Sequence, residues 1–186
     1  CNHAIGEDRE YVESAIKAGY SEIGFSDHSP MMFPKNYYSN FRMFPNECED
    51  YCKSILSLKN EYKNEISIKL GFELEYYPEI FNNTLAFLNQ FPYDYLILGQ
   101  HFVGNEFDDN TFYSGNQTKS NELLCRYINQ CIEALKTNKF TYLAHPDLIN
   151  FNGDKNFYNE KMEHFADELE KLSFPIEFNM LGLQKG

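Results

Sequence analysis

Four of the five histidines, His3, His28, His101 and His145, fall at loops or at the ends of apolar runs that read as strands. Glu73 sits near the end of a further run, "ISIKLGFELE". Imidazole and carboxylate together suit Zn, Fe, Mn or Co, and several such groups can hold two or three ions with bridging water. A single histidine at a strand end more often packs or hydrogen-bonds. Recurrence of the arrangement favours a metal site. The chain has no HExxH or HxxxH pair, so the ligands must converge through the fold. His164, within a helical stretch, is expected to be solvated or packed.

The stretch "TYLAHPDLINF" shows the pattern most sharply. Tyr142, Leu143 and Ala144 read as a buried strand end. Pro146 has no N–H to give a ladder, which leaves His145 at the last strand position and Asp147 at the start of the loop.

The elements that must position these groups alternate. Residues 8–18 place Tyr11, Val12, Ala15 and Ile16 on one helical face and stop at Gly19. "EIGF" is a short strand followed by "SDHSP", and residues 46–63 form a helix. "ISIKLGFELE" is a strand, "NNTLAFLNQF" a short helix, and "YDYLILGQHFVG" a strand ending at His101. Residues 118–138 are the longest helix, then "FTYLAHPD", a helix over 156–172, and a final strand "FPIEFNMLGL" with Glu177 and Asn179. Strands alternating with helices imply a parallel sheet, open or closed into a barrel, with ligands at the carboxyl ends of the strands. Asp27, His28, Glu73, Gln100, His101, His145, Glu177 and Asn179 all fall there. Glu75, just beyond Glu73, is expected to be solvated or to stand behind a ligand.

With 186 residues, 42% hydrophobic, the chain can bury one domain's core. The net charge of −12 repels polyanions, so nucleic acid is not an expected partner, although metal ions can reverse the field locally. No run approaches a membrane span. The five cysteines form no CxxC pair and are expected to be reduced packing thiols of a cytoplasmic protein. No GxSxG, Walker or Rossmann glycine pattern appears, which leaves serine hydrolases, P-loop enzymes and nicotinamide enzymes without support.

Taken in order, "CNHAIGE", "GFSDHSPM", "LGFELEYYP", "YDYLILGQHFVG", "LAHPDLINF" and "EFNMLGLQKG" resemble the PHP superfamily. The likeness is greatest to its stand-alone histidinol-phosphatases of histidine biosynthesis. The resemblance implies an α/β fold, a distorted (β/α)7 TIM-like barrel, with two to three divalent or iron ions (Zn, Fe or Mn) at the carboxyl end of the strands. By motif, His3, His28, Glu73, His101 and His145 correspond to metal ligands, with Glu73 bridging. The implied activity is hydrolysis of L-histidinol phosphate, a small phosphorylated amino alcohol, to L-histidinol and phosphate. Alternatives are another small phosphomonoester or a non-catalytic metal-binding module. Arg42 is a candidate phosphate clamp, since a guanidinium forks onto phosphate, with a surface charge as the alternative. Asp147, Asn179 and Lys185 are further substrate-binding candidates.

Two family pieces have no counterpart here, an HxH strand before the first segment and an Asp-x-His pair after the last. Residues 1–186 are therefore expected to be the central part of one PHP-type domain of roughly 250–280 residues, incomplete at both ends.

Overall fold

The computed structural model describes residues 4–34 and 37–178. By internal packing the chain divides into residues 1–73 with 80–96, and residues 74–79 with 97–186.

In the first unit, α1 (Asp8–Lys17) buries Val12 and Ala15, and the Glu10 carboxylate accepts the Glu7 N–H at 2.8 Å. The helix ends at Gly19, whose φ of +82° is the left-handed geometry that glycine adopts without a Cβ clash. Strands β1 (Glu22–His28) and β2 (Ser67–Leu74) run parallel, in register from Glu22 opposite Ser67 to His28 opposite Glu73. A 3-10 turn at Pro45–Glu47 leads into α2 (Cys48–Glu61), which lays Cys48, Cys52, Ile55 and Leu58 into the core and packs against α1. β2 buries Ile68, Leu70, Phe72 and Leu74, the near-continuous apolar pattern of a strand covered on both faces. α3 (Pro78–Leu88) leads to β3 (Tyr95–Leu98). The Tyr95 ring lies over Gly24 and Gly71, where a Cβ on Gly71 would stand 2.5 Å from the ring Cζ. Both strands need glycine there.

In the second unit, Ile97 and Leu98 pair in parallel with Tyr142 and Leu143 of β6 (Tyr142–Leu143). Asp94 N–H donates to Leu70 O at 2.6 Å in the first unit, and Gly99 N–H to Leu74 O at 3.2 Å in the second. β2 and β3 are thus neighbours, and the strand order is β1-β2-β3-β6. β4 (Phe102–Val103) and β5 (Phe112–Tyr113) form a small antiparallel hairpin. α4 (Asn121–Lys136) is capped by Ser120 Oγ on Leu123 N–H, α5 (Lys155–Lys171) by Asp154 on Phe157 N–H, and the two helices pack together.

The alternation and the parallel sheet agree with the sequence reading, and several boundaries differ, among them α3, which begins at Pro78 rather than Asn82 and ends at Leu88. β1 continues through Ser26, Asp27 and His28. β3 stops at Leu98 rather than His101, because the Gln100 side chain takes over the pairing: its Oε1 accepts Tyr76 N–H at 3.0 Å and its Nε2 donates to Phe102 O at 2.8 Å. α5 is longer than α4 by one residue, 17 against 16. The described part of the expected last strand forms one parallel bridge, Ile176 to Leu143. Among the described residues no helix is long and apolar enough to cross a membrane.

Candidate metal and phosphate site

Each described member of the histidine and carboxylate set stands at or just past the carboxyl end of a strand. His28 is the last residue of β1, and Glu73 is its register partner on β2. Parallel pairing puts the two side chains side by side, with His28 Nδ1 4.0 Å from Glu73 Oε2 and both largely buried. Backbone bonds hold this end of the strands: Ser29 N–H donates to Glu73 O at 2.8 Å, and Met43 N–H to His28 O at 3.2 Å. The second bond carries the Phe41–Met43 segment back over β1. The Phe41 ring lies 4.8 Å from the His28 ring, and the Arg42 guanidinium lies 4.7 Å from the Phe41 ring centre.

Arg42 is not the surface charge that one reading allowed. Only 2% of it is exposed, with Nε donating to Ser39 Oγ at 3.3 Å. It lines a cavity of about 280 Å³ together with Asp8, Asp27, Glu47, Asp50 and Tyr51. Tyr51 donates to Gly71 O at 3.0 Å and accepts Asp27 N–H at 3.3 Å. Burial pushes its phenol well above the usual value, so this bridge keeps its proton.

In the second unit, the His101 and His145 rings meet edge to face, with centroids 4.8 Å apart. His101 Nδ1 lies 3.0 Å from Gly99 O and 3.1 Å from Glu75 Oε1. A carbonyl can only accept, so Nδ1 carries the proton and Nε2 carries the lone pair of the neutral ring. Glu75 Oε2 also accepts the His101 backbone N–H at 3.3 Å and the Tyr77 hydroxyl, whose oxygen is 3.4 Å from Glu106 Oε2. Glu75 and Tyr77 are fully buried and Glu106 nearly so. Glu75 therefore stands behind a histidine and is not solvated.

His145 lies two residues beyond β6, with φ of +32°, a backbone geometry that costs a non-glycine residue about 1–3 kcal/mol. Three bonds hold it there. Its N–H donates to Glu177 Oε2 at 2.8 Å, and its carbonyl accepts Leu148 N–H at 3.0 Å and the Tyr127 hydroxyl at 3.4 Å.

The two units thus bring together His28 with Glu73 and His101 with His145. Asp147 is exposed and makes no hydrogen bond to a described residue, so the carboxylate that holds His145 is Glu177. His164 is solvent-exposed on α5, as expected. His3, Asn179 and Lys185 lie outside the described residues. The sequence reading missed the parts of Tyr77 and Glu106. Their signal was faint: a tyrosine two positions after Glu75 in "ELEYYP", and a lone glutamate in a polar loop. The four described cysteines are free thiols.

Known proteins resemble this chain over much of its length. A protein of Deinococcus radiodurans named "Probable histidinol-phosphatase" is 28% identical over 187 residues, covering 100% of this chain and 71% of its own length. The histidinol-phosphatase of Bacillus subtilis is 31% identical over 127 residues, 60% of this chain and 47% of that protein. The chain thus spans under half of the Bacillus protein. The crystal structure of histidinol phosphate phosphatase from Lactococcus lactis, complexed with zinc, L-histidinol and phosphate, superposes with a TM-score of 0.70 at 22% identity. It covers 96% of this chain and 68% of its own. The PHP domain model matches residues 1–180. Matched over nearly its whole length, the chain belongs to the PHP domain family.

Proposed function

We propose that the protein is a metal-dependent phosphomonoesterase that hydrolyses L-histidinol phosphate to L-histidinol and phosphate. The observation that carries the reading is the ligand-ready geometry of His101, its Nδ1 proton held by Gly99 and Glu75 so that Nε2 carries the lone pair. The His28 and Glu73 pair supports it. So do the family and the histidinol-phosphatases it resembles.

The residues fit divalent ions. Neutral imidazole and carboxylate are the donors that Zn, Fe and Mn take, and a carboxylate behind the ring is the usual support of a ligating histidine. His28, Glu73, His101 and His145 would hold them, with His3 as a further ligand and Glu73 bridging two of two to three ions. Bound there, such ions neutralise phosphate charge and bring the pKa of water toward neutrality. The chain's own residues position and stabilise. Arg42 gives its buried guanidinium to the phosphate, its parallel N–H groups forking onto two of the tetrahedral oxygens. Phosphoryl transfer runs through a loose transition state, so orientation and charge complementarity do most of the work. Asp147, exposed at the mouth of the His145 loop, faces the substrate's ammonium; Asn179 and Lys185 are further contacts. The reading includes closure of the sheet into a distorted (β/α)7 barrel.

Phosphate release by the full-length protein from L-histidinol phosphate and from a panel of small phosphomonoesters tests this. A preference of at least about tenfold in kcat/KM for histidinol phosphate, abolished by a chelator, is expected. Equal turnover across the panel would favour the general phosphoesterase reading, and no turnover the non-catalytic one.

A further inference from the structure

The geometry points to Glu75 as the positioning residue that sets which ring nitrogen of His101 meets a metal ion, and to Tyr77 as the group that holds Glu75 in place. The inference rests on reading His101 as a ligand and extends it to the groups behind the ring.

Glu75 Oε1 faces His101 Nδ1 at 3.1 Å, and Glu75 Oε2 receives two donors, the His101 backbone N–H at 3.3 Å and the Tyr77 hydroxyl. One carboxylate thus grips His101 at both ring and backbone, and Tyr77 stops it from turning. Glu75 and Tyr77 are both fully excluded from solvent, so no bulk water substitutes for a lost bond. An ionised carboxylate suits this place because it only accepts.

Glutamine at position 75 has the same shape and one acceptor fewer. Its oxygen is drawn to the Oε2 position by two donors, which turns its NH2 toward Nδ1. An NH2 there wants a lone pair on Nδ1, whereas Gly99 O at 3.0 Å wants a proton. The ring is then split between tautomers, and in the Nε2–H form Nε2 has no lone pair to give a metal ion.

The experiment uses the full-length protein with 15N-labelled histidine, first metal-free and then titrated with zinc against a chelating dye. In the metal-free wild type, at a pH where the ring is neutral, His101 is expected as the Nδ1–H tautomer alone. Glu75→Gln should show a population of the Nε2–H tautomer and bind zinc about 10- to 100-fold more weakly. Tyr77→Phe keeps the ring volume and should keep the tautomer, with zinc affinity falling about 3- to 10-fold as the carboxylate loosens. If Glu75→Gln does not fold, the decision passes to Tyr77→Phe. An unchanged tautomer with zinc affinity within about twofold of wild type, in either folded variant, overturns the proposal. A wild type that binds no zinc defeats the metal-ligand reading instead, while the tautomer in the metal-free protein still tests the clamp.

Discussion

Gly71→Ala is expected to destabilise the protein through one contact. The added Cβ would stand 2.5 Å from Tyr95 Cζ and 2.7 Å from both Cε atoms, against an ordinary separation of about 3.5–4 Å. The ring must therefore retreat by about 1 Å. It cannot simply slide along the sheet, because the same ring also covers Gly24 on β1. Overpacking of this kind costs about 1–3 kcal/mol. In a domain of this size that is a fall in Tm of about 2–12 °C. Thermal unfolding followed by circular dichroism measures it. Tyr95→Leu supplies the control: with the ring gone, adding Gly71→Ala should cost under about 0.5 kcal/mol, so the double-mutant cycle shows a coupling of about 0.5–3 kcal/mol. A Gly71→Ala protein melting within about 1 °C of wild type would refute the reasoning. So would an equal cost in the Tyr95→Leu background. The contact bears on function because Glu73 and His28 lie two residues beyond Gly71 and its register partner Ser26.

Arg42→Lys should lower kcat/KM by about 10- to 100-fold, the loss of a charge-assisted fork to phosphate, with the fold intact by circular dichroism. Around His145, three variants should separate in one set of assays. His145→Ala nearly abolishes phosphate release and loses metal by elemental analysis, and Glu177→Gln lowers activity about fivefold by loosening the bond to His145 N–H. Asp147→Asn chiefly raises KM, as expected of a group that touches only the substrate. Cys131 is fully buried, and burial pushes its thiol up to about 12, as it does for Cys48. A raised thiol pKa means little thiolate at pH 8, so brief iodoacetamide treatment should leave both unmodified. Among the four described cysteines, partly exposed Cys125 should react first, as read by peptide mass spectrometry.

The sheet was legible because its strands are apolar runs with the alternating helices that parallel pairing requires. His28, Glu73, His101 and His145 were legible for the same reason: polar residues at the ends of such runs have a stated place in the fold. Arg42 was not, since whether a cation is buried depends on how the loop after β1 returns over Phe41, which no periodicity encodes. The end of β3 was misplaced because Gln100 makes with its side chain the bonds that a strand makes with its backbone. The β4–β5 hairpin has only two residues in each strand, too short for an alternation to register. The surroundings of His101 were half visible. Glu75 was placed behind a ligand or in solvent, and only the fold decides, by burying it against Tyr77 and the imidazole.

His28, Glu73, His101 and His145 are expected to bind metal ions. Anomalous diffraction at the metal edges, from crystals of the full-length protein grown with zinc, tests it most directly. More than one ion is expected, with peaks about 2.0–2.2 Å from a Glu73 carboxylate oxygen and from ring nitrogens of His28, His101 and His145, Nε2 in the case of His101. Saturating zinc with no peak bonded to any of these four residues would contradict it.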